Sequence, residues 1–373
     1  MRTEERGASG GLWPASLGWL LVNRFQVALY VLFLPDVLIH PYMIWIILLV
    51  GVLSHFNLRI LSKWLQTEEA RLGYEGFVRV LGGRAVRLLA VPAAVVILLE
   101  SSILTLDYLE VSHHVLFPSV SKLTFLPLLW LASVYLASQG MILTGRFVII
   151  AFIGSLWIMT LFLQFLFPPV ADYAMLLPLV PQKWDDNIPY ILLTLWAAMA
   201  GPQYLAFTGS RFASTSGMFR WLALGNALSV LEYVVFFLAV TLAFGPEYMR
   251  KLDYPVVQLV RYIELPFFER LETIVVPFHM IVYIFLDAFF ILILRDVLRI
   301  ATGNAGQAKG FFGLAAVLWL VFIYLFGKYF WASETRHLFW IHFNSWLTGA
   351  AYALVPSFLA LAALWRKRKR KRS

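Results

Sequence analysis

The sequence predicts an all-α polytopic membrane protein, a single transmembrane domain of about ten helices with both ends on the cytoplasmic side. Three observations predict it. Of 373 residues, 61% are hydrophobic and 14% charged, and the mean hydropathy is +0.78, more apolar surface than one soluble core of this size can enclose. Apolar runs long enough to cross about 30 Å of hydrocarbon recur along the whole chain. A run of seven basic residues, Arg366 to Arg372, follows the last of them and forms a basic cytoplasmic tail over 365–373 that resists translocation and favours anionic lipid headgroups.

The first span, 17–39, follows a leader that carries Glu4 and Glu5 and lacks a small-residue cleavage site, so it is expected to stay in the membrane. It carries Asn23, Arg24 and Gln26 early and Pro35-Asp36 at its outer end. Arg24 is close enough to the inner boundary to snorkel, the alternative being a buried functional charge. No glycine interrupts this helix. The second span is 42–61. The charged stretch 63–84, with Leu65, Leu72, Phe77 and Val80 among its polar residues, is expected to lie along the cytoplasmic membrane surface. The third span, 86–106, bears Glu100, with Asp107 and Glu110 near its outer end. Residues 100 and 107 share a face, seven residues being nearly two helical turns. An intramembrane carboxylate suggests a proton or cation site, pairing with Arg24 or interfacial placement being the plain alternatives.

Spans four and five are 124–142 and 146–168, and the sixth, 188–208, contains Gly201-Pro202 at its middle. A glycine and a proline there release backbone groups that hydrocarbon cannot satisfy, so the pair is either an unwound binding segment, with Gln203 and Tyr204 offering hydrogen bonds, or a kink that shapes the bundle. In the seventh span, 218–244, Asn226, Ser229 and Glu232 recur every three residues and face the bundle interior. The outer stretch 246–270 interleaves apolar and charged residues and predicts one or two short amphipathic helices. The eighth span, 272–294, holds Asp287 between Phe285 and Phe289, and this acid must also turn inward. Spans nine and ten are 311–331 and 339–364.

This topology places 21 of the 30 basic residues inside and 8 outside, with Arg24 within a span. The chain has no cysteine, which excludes disulfides and thiolate chemistry. His113 and His114, expected in the outer loop, and His337 and His342 at the start of the tenth span lack a completing carboxylate at ligand spacing, so no metal site is expected. With no phosphate loop or nucleophile motif, neither an enzyme nor a cofactor is expected, and the basic tail is a membrane anchor, not a nucleic-acid surface.

The segment from Tyr254-Pro255 through Arg261 and Glu264, followed by Glu269-Arg270-Leu271-Glu272, resembles the signature of the endospore germination permease family, the B subunits of nutrient germinant receptors. Phe244-Gly245-Pro246-Glu247 and Leu32-Phe33-Leu34-Pro35 extend the resemblance. It implies the amino acid, polyamine and organocation transporter fold, a LeuT-like pair of inverted five-helix repeats with discontinuous helices 1 and 6 around a midplane site. It further implies a spore inner membrane location, a small nutrient ligand, and an A subunit and a lipoprotein C subunit as partners. The ligand-binding candidates are then Ala28, Leu29, Tyr30, Glu100, Gly201, Pro202, Gln203, Tyr204 and Asp287. Two positions depart from the family pattern. Its Gly-Ser-Gly in helix 1 corresponds to Ala28-Leu29-Tyr30, and an acidic position of helix 6 corresponds to Gln203. A ligand other than an amino acid, a coupled secondary transporter and a structural subunit without a ligand therefore stay open beside the receptor reading.

Overall fold

The computed structural model describes residues 11–28, 37–252, 254–263, 270–303, 308–331 and 334–372. Its α-helices, in chain order, are α1 (Leu17–Val27), α2 (Ile44–Leu65), α3 (Glu68–Arg71), α4 (Tyr74–Leu81), α5 (Gly83–Leu116), α6 (Leu126–Ser138) and α7 (Met141–Phe162). They continue with α8 (Ile188–Ala198), α9 (Met218–Met249), α10 (Pro255–Val260), α11 (Glu272–Thr302), α12 (Ala308–Tyr329) and α13 (Glu334–Arg372). Among the described residues seven helices are long and apolar enough to cross a membrane: those at Pro41–Leu65, Gly83–Leu116, Met141–Leu166, Met218–Met249, Glu272–Thr302, Gly310–Tyr329 and Arg336–Arg368. The expected spans 17–39, 124–142 and 188–208 contain the shorter helices α1, α6 and α8. The 11 residues of α8 reach only about 16 Å, roughly half a hydrocarbon core.

Several boundaries differ from expectation for local reasons. The third helix runs to Leu116, past Pro92 in its first third, so His113 and His114 occupy its last turn instead of an outer loop. Gly140, at φ +86°, turns the chain between α6 and α7, which starts the fifth expected span at Met141. The stretch after α2 folds into α3 and α4, whose Phe77 and Val80 are half-buried while Glu75 and Arg79 are exposed. In the 246–270 stretch, α9 bends at Gly245 (φ +69°) and ends at Met249. There α10 buries Pro255, Val256, Val257, Leu259 and Val260 and leaves Arg261 exposed.

The centre of the bundle is α11. It packs against α5, α6, α7 and α12, and 67% of its most apolar window is buried, against 28% for the equivalent window around α7. The outward faces of α2, α5, α7, α12 and α13 carry exposed residues such as Leu49, Phe56, Leu88, Ile153, Val317, Leu354 and Leu361, which suit lipid and not water. Close helix approach is secured by glycine. A Cβ on Gly225 would lie 2.4 Å from the Trp19 carbonyl oxygen, and one on Gly51 would lie 2.5 Å from a Val230 methyl.

Polar side chains lock the first helix in place. Arg24 is 1% exposed, so it does not snorkel as its position in the sequence suggests. Its Nη2 lies 2.6 Å from Glu232 Oε1 on α9 and also donates to Asn23 Oδ1 at 2.6 Å, while Nη1 donates to Ser155 Oγ on α7. The Asn23 amide donates to Glu232 (2.9 Å) and Ser229 (3.2 Å). One turn along, Gln26 Nε2 donates to Ser54 Oγ on α2 and Asn226 Oδ1 on α9 at 3.0 and 2.9 Å, and Ser54 Oγ lies 2.7 Å from the Tyr352 hydroxyl of α13. The inward face of α9 inferred from Asn226, Ser229 and Glu232 is thus the partner of α1. Before α1, Trp13 pairs with the backbone of Arg211 and Ala213 and donates from its indole to the Ile142 carbonyl at 2.9 Å.

An unpaired charge at this depth is costly. Glu232→Ala should destabilise the detergent-solubilised protein by about 3–5 kcal/mol, read as a lowered thermal midpoint. Replacing Arg24 and Glu232 together by leucine should cost less than either single substitution. A double variant worse than both singles would show that the charges themselves are not the constraint.

Candidate functional site

The sixth expected span is interrupted. After α8 ends at Ala198, Gly201 adopts φ +113°, which L side chains rarely reach. A Cβ there would also lie 2.8 Å from the Phe25 Cβ. Pro202 then opens a tight 3₁₀ segment over Pro202–Phe207, since its ring supplies a fixed φ and its missing N–H needs no acceptor. The Gly201 amide is taken up locally by Gln203 Oε1 at 2.6 Å. Gln203 therefore caps the break through its side-chain carbonyl.

Beside the break lies a cavity of about 60 Å³. Its walls come from Phe25 and Ala28 on and just after α1, Glu100 and Leu104 on α5, Leu286 and Phe290 on α11, and Asn344 and Thr348 on α13, with Ala200, Gly201 and Tyr204 of the break closing one side. Tyr204 donates its hydroxyl to Glu100 Oε2 and sets its ring edge-on to Phe290, centroids 5.1 Å apart. Thr348 donates to Asn344 Oδ1 at 3.1 Å. The polar lining is the Glu100 carboxylate, the Tyr204 and Thr348 hydroxyls and the Asn344 amide, with no basic side chain among the described lining residues.

The structure brings Ala28, Glu100, Gly201 and Tyr204 together at this cavity. Pro202 and Gln203 shape the break without lining the cavity. Asp287 is fully buried and accepts a hydrogen bond from Thr105 Oγ1 at 3.0 Å; its chain neighbour Leu286 lines the cavity and it does not. Leu29 and Tyr30, together with Leu32-Phe33-Leu34-Pro35, lie outside the described residues. Sequence reasoning missed Phe25, Asn344 and Thr348. The last two, four residues apart on an apolar helix, were the available signal.

The signature residues form a different cluster. Glu272, 3% exposed, is approached by Arg270 at 3.0 Å and Arg261 at 3.7 Å, and Arg270 also donates to the Val115 carbonyl near the end of α5. Tyr254 sets its ring 6.0 Å from that of His114, and Pro255 opens α10. Glu264 and Glu269 lie outside the described residues. This cluster clamps α10 and the start of α11 to the end of α5, away from the cavity.

On the other side of the break, the 3₁₀ segment is gripped by α2, α3 and α4. The Trp64 indole donates to the Ala206 carbonyl at 2.9 Å, Phe77 stacks on Phe207 at 5.6 Å, and a Cβ on Gly209 would lie 2.7 Å from the Ala70 carbonyl oxygen. Arg71 adds a hydrogen bond to Thr215 at 3.2 Å.

Removing the Tyr204 hydroxyl leaves a buried acceptor unpaired. Tyr204→Phe should therefore cost about 1–3 kcal/mol, measured as a drop in thermal midpoint, and adding Glu100→Leu should recover part of it. No recovery in the double variant would mean that the bond does not hold the break to α5.

A family model described as spore germination protein matches residues 15–331, most of the chain. No curated protein matches it.

Proposed function

The chain belongs to the spore germination protein family, and we propose that within it this integral membrane protein is the permease-like B subunit of a nutrient germinant receptor. It would sit in the spore inner membrane with both termini cytoplasmic. In this reading residues 17–39, 124–142 and 188–208 join the seven long helices to make ten crossings, arranged as a LeuT-like 5+5 inverted repeat whose sixth helix is divided at Gly201-Pro202. The A subunit and the lipoprotein C subunit are its proposed partners.

The observation that supports sensing is the cavity at the helix break. Its size matches a solute of about five heavy atoms, each taking roughly the space of one water, so the smallest nutrients fit this conformation and a nucleoside does not. The Glu100 carboxylate, with no basic side chain among the described lining residues, suits an ammonium group better than a carboxylate. A bound amine would compete with Tyr204 for Glu100, and Tyr204 shares its short 3₁₀ segment with Ala206 and Phe207, the residues held by Trp64 and Phe77. Occupancy would thereby pass from the cavity to the α3–α4 hairpin, which is to say to the cytoplasmic face and the receptor complex.

One observation favours a second reading, secondary transport of amino acids or related small solutes coupled to a cation or proton: Glu100 and Asp287 are buried acids without an ion pair among the described residues. These would be the coupling groups.

Gly201→Leu or Tyr204→Ala should abolish the nutrient response of spores without loss of the protein from the membrane. A normal response in both variants would place the site elsewhere. In proteoliposomes the purified chain should show no nutrient-dependent uptake of radiolabelled solute; uptake by the chain alone would favour the transporter.

A further inference from the structure

Behind the α5–α11 wall of the cavity sits an acid that neither the break nor the cavity uses. Asp287 is 0% exposed. Its Oδ1 accepts from Thr105, and its Oδ2 has no hydrogen-bond partner among the described residues. Its neighbours along the helix, Phe285, Leu286, Ala288 and Phe289, are buried and apolar.

Among the described residues no cation compensates it. The described titratable groups on the elements packed against α11 lie or pair elsewhere. On α5, Glu100 is held by Tyr204, Tyr108 donates to the Val276 carbonyl, and Asp107 faces His337 at 3.8 Å. Glu110 is paired with Lys122 and His114 near the end of the same helix. Arg84 and Arg87 lie in its first turns, Arg87 beside Gly303. Tyr135 of α6 and Tyr324, Lys328 and Tyr329 of α12 are exposed. Arg146 of α7 donates to the Gly11 carbonyl, and Arg24 belongs to Glu232. On α11 itself, His279 lies 3.4 Å from the Ala28 carbonyl, and Tyr283, one turn before Asp287, has a hydroxyl without a hydrogen-bond partner among the described residues.

A bare carboxylate in such surroundings is prohibitively unstable, so the group must be neutralised. A metal cation would need on the order of six oxygen ligands, and among the described residues only the Asp287 carboxyl and the Thr105 hydroxyl converge here. A proton needs one. We propose that Asp287 and Thr105 form a proton-binding site at the α5–α11 interface, with the proton on Asp287 Oδ2 while Thr105 donates to Oδ1.

Beside the site, Tyr283 of α11 stacks on Tyr108 of α5 with centroids 4.1 Å apart. Any motion that parts α5 from α11 at the cavity opens the site as well, so the two are coupled through one interface. The proton site stands independently of the germination reading.

Infrared spectroscopy of the full-length protein in phospholipid vesicles at pH 7 tests this. The wild type should show the C=O stretch of a protonated carboxyl, sensitive to deuterium exchange and absent from Asp287→Asn. Thr105→Val should keep that band but shift it to higher frequency, because the donated hydrogen bond is gone. A Glu100→Gln background removes the only other candidate in the cavity wall. If Asp287→Asn does not accumulate, the Thr105→Val spectrum decides. A spectrum unchanged in these variants overturns the proposal, as does a band that vanishes when choline chloride is replaced by sodium chloride, which would make the site a cation site.

Discussion

A guanidinium buried at membrane depth can persist only if its charge and its donors are met by protein, and the Arg24–Glu232 pair is the constraint on which the rest of this bundle depends. Its 2.6 Å contact joins α1 to α9, and the branches through Asn23, Ser155 and Ser229 add α7. Gln26 repeats the device one turn later toward α2 and α13. In hydrocarbon the hydrophobic effect supplies no force between helices, so close packing at glycine and satisfied polar networks of this kind determine which helices meet. Phe25 and Ala28, which wall the cavity, are placed by being on the same helix as this network. The pair is therefore structural, and it is also why the cavity has one defined shape.

The second constraint is the backbone at Gly201. A helix of 11 residues cannot cross the bilayer alone, and the polar groups freed at its end have to be met by something. Gln203 meets one of them, and Tyr204 turns its hydroxyl to Glu100. The same few residues thus close the cavity, bond to α5 and continue into the segment held by Trp64 and Phe77. In the proposed sensor the site and its output share this one short segment, so small displacements at the cavity have no slack in which to dissipate.

Much of this was legible in the sequence, for reasons that differ between elements. Long apolar runs announce helices because a bilayer demands about 20 apolar residues, and each of the ten expected runs contains a helix. Gly201-Pro202 was readable as a break because both residues have backbone consequences of their own. The inward face of Asn226, Ser229 and Glu232 followed from helical spacing. The partnerships were not readable. Arg24 was placed at the boundary because only its distance along the chain was known, and its partner lies 208 residues away. Thr105 is 182 residues from Asp287, and an isolated threonine in an apolar helix gives no signal. Helix ends were misjudged where a single dihedral decides, as at Gly140, or where polar residues continue a helix beyond its apolar part, as at His113 and His114 on α5.

In the proposed receptor, the cavity at the break receives a small nutrient. Because the chain has no cysteine, Thr348→Cys would introduce a single thiol into the cavity wall. The rate of its modification by a small methanethiosulfonate reagent, in membranes with and without a mixture of amino acids, sugars and nucleosides, measures occupancy directly. A nutrient in the cavity predicts a rate several-fold slower in the mixture, with the protection traced to one small amine on fractionation. Equal rates in the presence and absence of every nutrient would contradict it.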